Sequence, residues 1–364
     1  MTEKPIEKEL NRQAVQFEEK CRTGMIGNAS KISLEEYCKQ YLEIKKQVLS
    51  PATYEYYANA LSKIILPALG HHKIAQIRSV HVQAFVNQLT NKPAQRPART
   101  NGETISASTV RRYLTILQSV MKLAVKQKLI TDNPARADLL ELPKATAPKV
   151  EIFTKQEAAE MLSYLSTEDL QFQTLIQLAI MTGARRGELV ALKFSDFDYE
   201  ANRMTIARAA VKLKGEQAQV KPPKDYEVRS VTVSPYCIYL VKLLHEEKRR
   251  EARRLGSAWK NGEWLFTQWN GEMMNPQTPT RQFSKFLSRN GLRHRKFHSL
   301  RHTSATLLLY GGINIKQVQE RLGHGDIETT NKYLHVIAEA DQEAANVLQD
   351  MLITQTPGQK EKHA

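Results

Sequence analysis

Long apolar runs are missing from this 364-residue chain. A membrane-spanning helix needs roughly 18 or more consecutive apolar residues. Runs such as Leu307 to Tyr310 fall far short. The first residues, Met1-Thr2-Glu3-Lys4-Pro5, lack the apolar core of a secretory signal, so a cytoplasmic protein is expected. Cysteine is scarce: Cys21, Cys38 and Cys237 are odd in number and far apart. That spacing argues against a disulfide framework or a cysteine zinc site, and it fits a reducing compartment. Hydrophobic residues at 41% and charged residues at 25% exclude a chain that is disordered throughout.

Acidic residues are also in deficit. Lysine and arginine number 53 against 38 aspartates and glutamates, a net charge of +15. This balance points to a polyanion, with nucleic acid first and an anionic membrane surface second. The excess is unevenly placed. Residues 1–30 hold five basic and five acidic residues, and residues 31–150 hold 18 basic and 8 acidic. The remainder holds 30 and 25. The 31–150 block is therefore the better candidate for gripping a phosphate backbone.

Periodicity then divides the chain. Leu10, Ala14, Phe17 and Cys21 predict one charged helix over 5–23. The 31–141 block reads as a four-helix bundle. Its helices begin near Ser33, Ser50-Pro51, Ser79 and Ser106 or Ser108. Pro67 and Gly70 are expected to close the second, and Asp132-Asn133-Pro134 the fourth. Residues 91–104, rich in Pro, Asn, Arg and Thr, read as a loop. The proline-bounded, basic segment Leu142 to Lys149 reads as a linker over 142–150. The next domain should open with helices at Lys155 to Tyr164 and Leu170 to Thr182. Apolar alternation over 203–233 predicts a small antiparallel sheet. Helices then resume at Ser234-Pro235 and run to about 352.

Five short segments carry candidate chemistry. Thr182-Gly183-Ala184-Arg185-Arg186-Gly187-Glu188-Leu189 puts two arginines in a turn at a helix start, where an anion is favoured. In His298-Ser299-Leu300-Arg301-His302, the residues at i, i+3 and i+4 share one helical face. Leu322-Gly323-His324-Gly325 presents an imidazole from a glycine turn, and Tyr333 follows nine residues later. Val220 to Arg229 reads as a hairpin with Lys224 at its tip. Each is ordinary alone: a helical tyrosine usually packs in a core, and a turn lysine is usually only that.

Together, in this order and spacing, they resemble the tyrosine recombinase (phage-type integrase) family, most closely integrases of conjugative transposons and prophages. The resemblance implies a mainly α fold with a small antiparallel β-sheet: a helical-bundle core-binding domain (31–141) and an α+β catalytic domain (151–336). It implies site-specific DNA recombination through a 3′-phosphotyrosyl intermediate, without metal or cofactor. Tyr333 would be the nucleophile. Arg185 and Arg301 would hold the phosphate, His298 would assist proton transfer, His324 would donate to the phosphate, and Lys224, with Lys221 second, would protonate the leaving 5′-oxygen. Arg186 departs from the usual small or apolar residue and reads as a surface residue. Residues 1–30 would be the remnant or end of an arm-binding region. The stripe Ile337, Ala340, Ala344, Val347, Leu348, Met351 in 337–364 would dock in trans in a tetramer on DNA. An excision factor is a further expected partner. In the helical block, Lys45, Lys46, Arg111, Arg112, Lys122 and Lys126 are the candidate DNA contacts.

Three other readings compete. His298, His302, His324 and His335 could form a zinc site, but Arg301 between the first two would repel a cation. A non-catalytic DNA-binding protein could keep this fold. A chromosome-dimer resolvase would share the chemistry.

Overall fold

The computed structural model describes residues 31–92, 104–144, 151–212, 215–223, 228–260 and 262–323. The chain divides into two compact units, Met1–Pro148 and Lys149–Ala364. The expected helix over 5–23 and the C-terminal stripe lie outside the described residues, as do most of the 91–104 loop and residues 145–150 of the linker.

In the first unit, Ser33 caps α1 (Leu34–Lys46) through a reciprocal box with Glu36. Ser50 caps α2 (Pro51–Ala60) by accepting from the Thr53 amide. The structure corrects the expected end of this helix. Pro67 does not close it but lies inside a short continuation, α3 (Leu66–Leu69). A π-helical turn over Leu61–Ile65 precedes it, with the Leu66 amide reaching the Leu61 carbonyl. That wider turn relieves the clash a proline ring makes with the preceding turn of a regular helix. α4 (Ser79–Thr90) and α5 (Ala107–Lys126) complete the bundle. α5 also ends earlier than expected. Lys128 adopts a left-handed φ of 60°, and the Leu129 amide returns to the Ala124 carbonyl at 3.0 Å. This is helix termination by backbone geometry, well before Pro134.

The bundle core gathers Leu34, Tyr37, Tyr41, Leu61, Ile65, Phe85, Leu117 and Met121. Two buried tyrosines place their hydroxyls on α5 and its end: Tyr41 pairs with Ser119 at 2.8 Å and Tyr37 donates to Gln127 at 2.7 Å. A buried ring with a satisfied hydroxyl adds orientation to apolar burial.

The second unit is organised around α7 (Leu170–Thr182), buried on nearly every side. α6 (Lys155–Tyr164), capped by Thr154 and Glu157, precedes it, and α8 (Arg186–Val190) follows. The strand region departs from the single expected sheet. β1 (Phe197–Asp198), β2 (Arg203–Ile206) and β5 (Arg229–Thr232) form one antiparallel sheet, ordered β1-β2-β5. β3 (Ala209–Val211) and β4 (Gln219–Lys221) form a separate hairpin. Met204 pairs with Val231 on the buried face, whereas Arg203 and Thr232 face solvent. That is the period-2 alternation of a half-buried sheet. Val228, expected in a strand, is exposed and lies outside β5.

Between α9 (Pro235–Leu255) and α10 (Thr278–Arg289) the expected run of helices is interrupted: a 3₁₀ turn over Gly256–Ala258 leads into irregular backbone. This stretch pairs Lys193 with Trp264 and Thr267 with Met273. Gln171 of α7 accepts from the Thr267 amide at 2.8 Å and donates to its carbonyl at 3.2 Å. α11 (Ser299–Tyr310) and α12 (Ile315–Leu322) then pack together through Ala305, Val318 and Leu322.

Gly183 closes α7 at φ 63°, and a Cβ built there would lie 2.2 Å from Leu322 Cδ2. Gly183→Ala is therefore expected to cost about 2–4 kcal/mol, from left-handed strain plus overpacking. In a thermal melt of the full chain the second unit should lose roughly 5–15 °C; an unchanged melt would contradict the packing.

Candidate active site

Three chain segments meet where α7 ends. The first is the turn from Gly183 into α8. Arg185 occupies the N-cap position of α8, and its amide donates to Glu188 Oε2 at 2.8 Å. Its guanidinium folds back to donate to Glu188 Oε1 at 2.9 Å. Its other terminal nitrogen donates to the Gly323 carbonyl at 2.7 Å. The second segment is α11. Arg301 is 3% exposed and donates to the Gly183 carbonyl at 2.6 Å. The two arginines expected to hold an anion are thus brought to one turn by main-chain acceptors.

The third segment is the end of α12. Arg321 donates to the carbonyls of Met181 and Thr232, both at 2.9 Å. It therefore ties α12 to the end of α7 and to β5. The turn at Gly323 is held against Arg185 in consequence, directly before His324 in sequence.

His298 sits at the N-cap position of α11 rather than inside it. The Arg301 and His302 amides donate to its carbonyl at 3.2 and 3.4 Å. Although His298 is exposed as a residue, removal of water from its ring lowers its pKa. The positive charges of Arg301, Arg185 and Arg186 push the same way. The ring of His302 meets it edge-on, 4.6 Å between centroids. Desolvation, then His298 and Arg301, push His302 down to about 4. Both imidazoles are therefore neutral at neutral pH.

The residue that organises this cluster was not singled out by the sequence reading. Glu188 is 1% exposed. Burial alone would raise its pKa, but hydrogen bonds and charge from Arg229, then hydrogen bonds from Arg185, hold it below the usual carboxylate range. Arg229 forks onto both its oxygens, at 3.2 and 2.6 Å. The available signal was position: Glu188 is the third residue of a helix whose N-cap is Arg185, where a capping carboxylate is favoured. Arg229 gave no local signal, because its partner is 41 residues away in sequence. Arg186 is not merely a surface residue: it is half-buried and donates to Thr280 Oγ1 at 2.6 Å.

Of the other expected site residues, Lys224, His324 and Tyr333 lie outside the described residues, as does His335. Lys221 is exposed at the end of β4. The expected Val220–Arg229 hairpin is not formed as such. β4 pairs with β3 and β5 with β2, so the segment holding Lys224 connects two sheets.

In the helical unit, Arg112, Thr115, Lys122 and Lys126 fall on one exposed side of α5. Lys46 is exposed, and Lys45 lies over the Tyr41 ring at 5.7 Å. Arg111 is engaged differently: it donates twice to the Pro143 carbonyl, at 3.2 and 3.0 Å. It holds the start of the linker segment on α5.

Two stability outcomes follow. Glu188→Gln leaves Arg185 and Arg229 without their carboxylate and should cost about 3–5 kcal/mol. Because the folded pKa of Glu188 is depressed, its contribution is present above the ordinary carboxylate range and lost as pH falls through the folded value. The gap in melting temperature between wild type and Glu188→Gln should accordingly narrow at acid pH. His302 has the opposite protonation chemistry but the same slope. Between pH 6.5 and about 4 the unfolded chain binds a proton that the folded one does not, so stability is lost as pH falls through that window. His302→Asn should flatten the dependence, as measured by thermal melts at half-unit intervals.

Comparisons with known proteins find relatives of both units. The phage integrase family profile matches residues 151–340, and that of the phage integrase N-terminal SAM-like domain matches residues 33–90, spanning α1 to α4. A tyrosine recombinase XerC-like protein of Caldanaerobacter subterraneus subsp. tengcongensis is 27% identical over 351 residues, covering 91% of this chain and 86% of that protein. The ICEBs1 integrase of Bacillus subtilis is 24% identical over 249 residues, covering 68% of this chain and 67% of that protein. Among solved structures, the Tn1549 transposon integrase in complex with transposon right end DNA shares the fold. Its TM-score is 0.68 at 19% identity, over 87% of this chain and 99% of that one. The match to the family profile over more than half its length, with the arginine turn and the His298–Arg301 segment inside that match, places this chain in the phage integrase family of tyrosine recombinases.

Proposed function

We propose that this protein is a site-specific DNA recombinase that integrates and excises a mobile element. One observation carries the reading: Arg185 and Arg301 are brought to the Gly183 turn, with a neutral His298 beside them. Two fixed guanidiniums suit the non-bridging oxygens of a phosphodiester and the charge that grows on them at a five-coordinate phosphorus.

In the proposed reaction Tyr333 Oη attacks the scissile phosphorus. The phenolic proton passes to His298, a base kept neutral by its surroundings. The bond to the 5′-oxygen breaks, and that oxygen takes a proton from Lys224. A 3′-phosphotyrosyl bond and a free 5′-hydroxyl remain. His324 donates a hydrogen bond to the phosphate. The covalent link retains the phosphodiester energy, so a second 5′-hydroxyl reverses the steps on another strand without ATP. Tyrosine, with an ordinary pKa near 10, is a weak nucleophile at neutral pH, and adjacent guanidiniums stabilise its phenolate.

Residues 31–141 act as the core-binding domain and 151–336 as the catalytic domain, joined by 142–150. Lys45, Lys46, Arg112, Lys122 and Lys126 supply phosphate contacts in the first. Arg111 is the weakest of that set, since Pro143 already occupies it. Residues 337–364 dock on a neighbouring protomer in a tetramer on DNA, in the cytoplasm, with an excision factor as an accessory partner. Lambda integrase, of which a tetramer bound to a Holliday junction has been solved, shares the fold at TM-score 0.58. A second reading, resolution of chromosome dimers, is favoured by the 27% identity to the XerC-like recombinase. Activity on element-end DNA rather than on a chromosomal dimer site separates the two.

The test is covalent trapping on nicked DNA carrying the element ends, in EDTA. Wild type should give a detergent-resistant adduct and Tyr333→Phe none. Arg185→Lys, which loses the fork, should slow adduct formation by about 10²–10³-fold. The rate should be flat through neutral pH and fall only on the acid side of the ordinary imidazole range, as His298, held below that range, gains a proton. An adduct formed equally by Tyr333→Phe would refute the assignment.

A further inference from the structure

Glu188 poses an electrostatic difficulty for the proposed phosphate site. Its buried carboxylate lies 2.9 Å from an Arg185 terminal nitrogen. On its own it would cancel that guanidinium's charge and repel a phosphate approaching it. The structure places a second guanidinium on the same carboxylate. Arg229 donates Nη1 to Oε1 at 3.2 Å and Nη2 to Oε2 at 2.6 Å. Two cations and one anion leave one net positive charge, directed through Arg185.

Arg229 reaches further. Its Nε donates to the Arg321 carbonyl at 3.3 Å. Its guanidinium also packs against Gly323, where an added Cβ would lie 2.8 Å from Nη1. Gly323 is in the left-handed region, at φ 64°. Arg185 holds the carbonyl of that same glycine. One side chain on β5 therefore touches both the carboxylate that orients Arg185 and the turn leading to His324.

We propose that Arg229 is a positioning residue that acts through Glu188, neutralising its carboxylate so that Arg185 keeps its charge for an anionic phosphate while seating the Gly323 turn. The proposal rests on the recombinase reading for the identity of that phosphate, but the charge balance itself is a property of the folded chain.

The experiment uses the full chain on nicked DNA, with Arg229→Met, Arg229→Lys and the double variant Glu188→Gln/Arg229→Met. Arg229→Met should slow adduct formation at saturating DNA by about 10²-fold, while half-saturating DNA concentration changes by less than about threefold. Arg229→Lys should recover part of the rate. The double variant removes the carboxylate's charge together with its partner and should be about tenfold faster than Arg229→Met alone. A purely structural role predicts the reverse, with the double variant no better. A folded Arg229→Met that reacts at the wild-type rate, or a double variant no faster than Arg229→Met, overturns the proposal. A second arm needs no chemistry: thermal melts with increasing inorganic phosphate should stabilise wild type and not Arg229→Met, and equal stabilisation overturns the proposal. Should wild type form no adduct while the phosphate arm still separates the two proteins, the recombinase reading fails and the charge balance stands. If Arg229→Met does not fold, Arg229→Lys against wild type in both arms decides.

Discussion

A single buried carboxylate sets the geometry of the second unit's functional end. Glu188 accepts from the Arg185 amide, the Arg185 guanidinium and both terminal nitrogens of Arg229. Burying an ion is tolerable only when its lone pairs are satisfied and its charge is opposed. Glu188 meets both conditions by drawing in Arg185 from the N-cap of α8 and Arg229 from β5. Once they are in place, their remaining donors reach the Arg321 and Gly323 carbonyls. The end of α12 is thereby set against the end of α7. Arg301 reaches the same place from α11 through Gly183. The guanidiniums of Arg185 and Arg301 are thus aimed by fixed acceptors within the fold.

The first unit solves a different problem. It combines a closed helical core with positive charge on one exposed helix side. Its apolar side chains, Tyr37 and Tyr41 among them, are packed inward. α5 keeps Val110, Leu114, Leu117 and Met121 on that side and Arg112, Lys122 and Lys126 on the other. Charge on a rigid helix face is cheap to hold there, since the exposed lysines stay hydrated and only their stems order.

Much of this was legible in residue order. Helix starts were readable because caps are local: Ser33 with Glu36, Ser50, Ser106, Thr154 and Asp169 each accept from an amide within three residues. Ends were less readable. The π-turn that absorbs Pro67 and the left-handed Lys128 that ends α5 are backbone solutions without a residue signature. Strand pairing was misassigned for a related reason. Val220 to Arg229 has hairpin chemistry, but partner choice depends on which edge is nearest in space, and β4 found β3 instead.

What the sequence determined alone was the set of chemical groups and their spacing. Arg185 in its glycine turn, His298 with Arg301 and His302, and the family to which they belong all follow from residue order. Only the tertiary structure decided how those groups are charged and held. Desolvation by neighbouring elements keeps both imidazoles neutral. Glu188 became the centre of the site through Arg229, 41 residues away, and Arg111 was drawn to Pro143, 32 residues away. Caps and periodicity act over a few residues and can be read along the chain. Ion pairing and desolvation act through space, and they take their partners from wherever folding brings the chain.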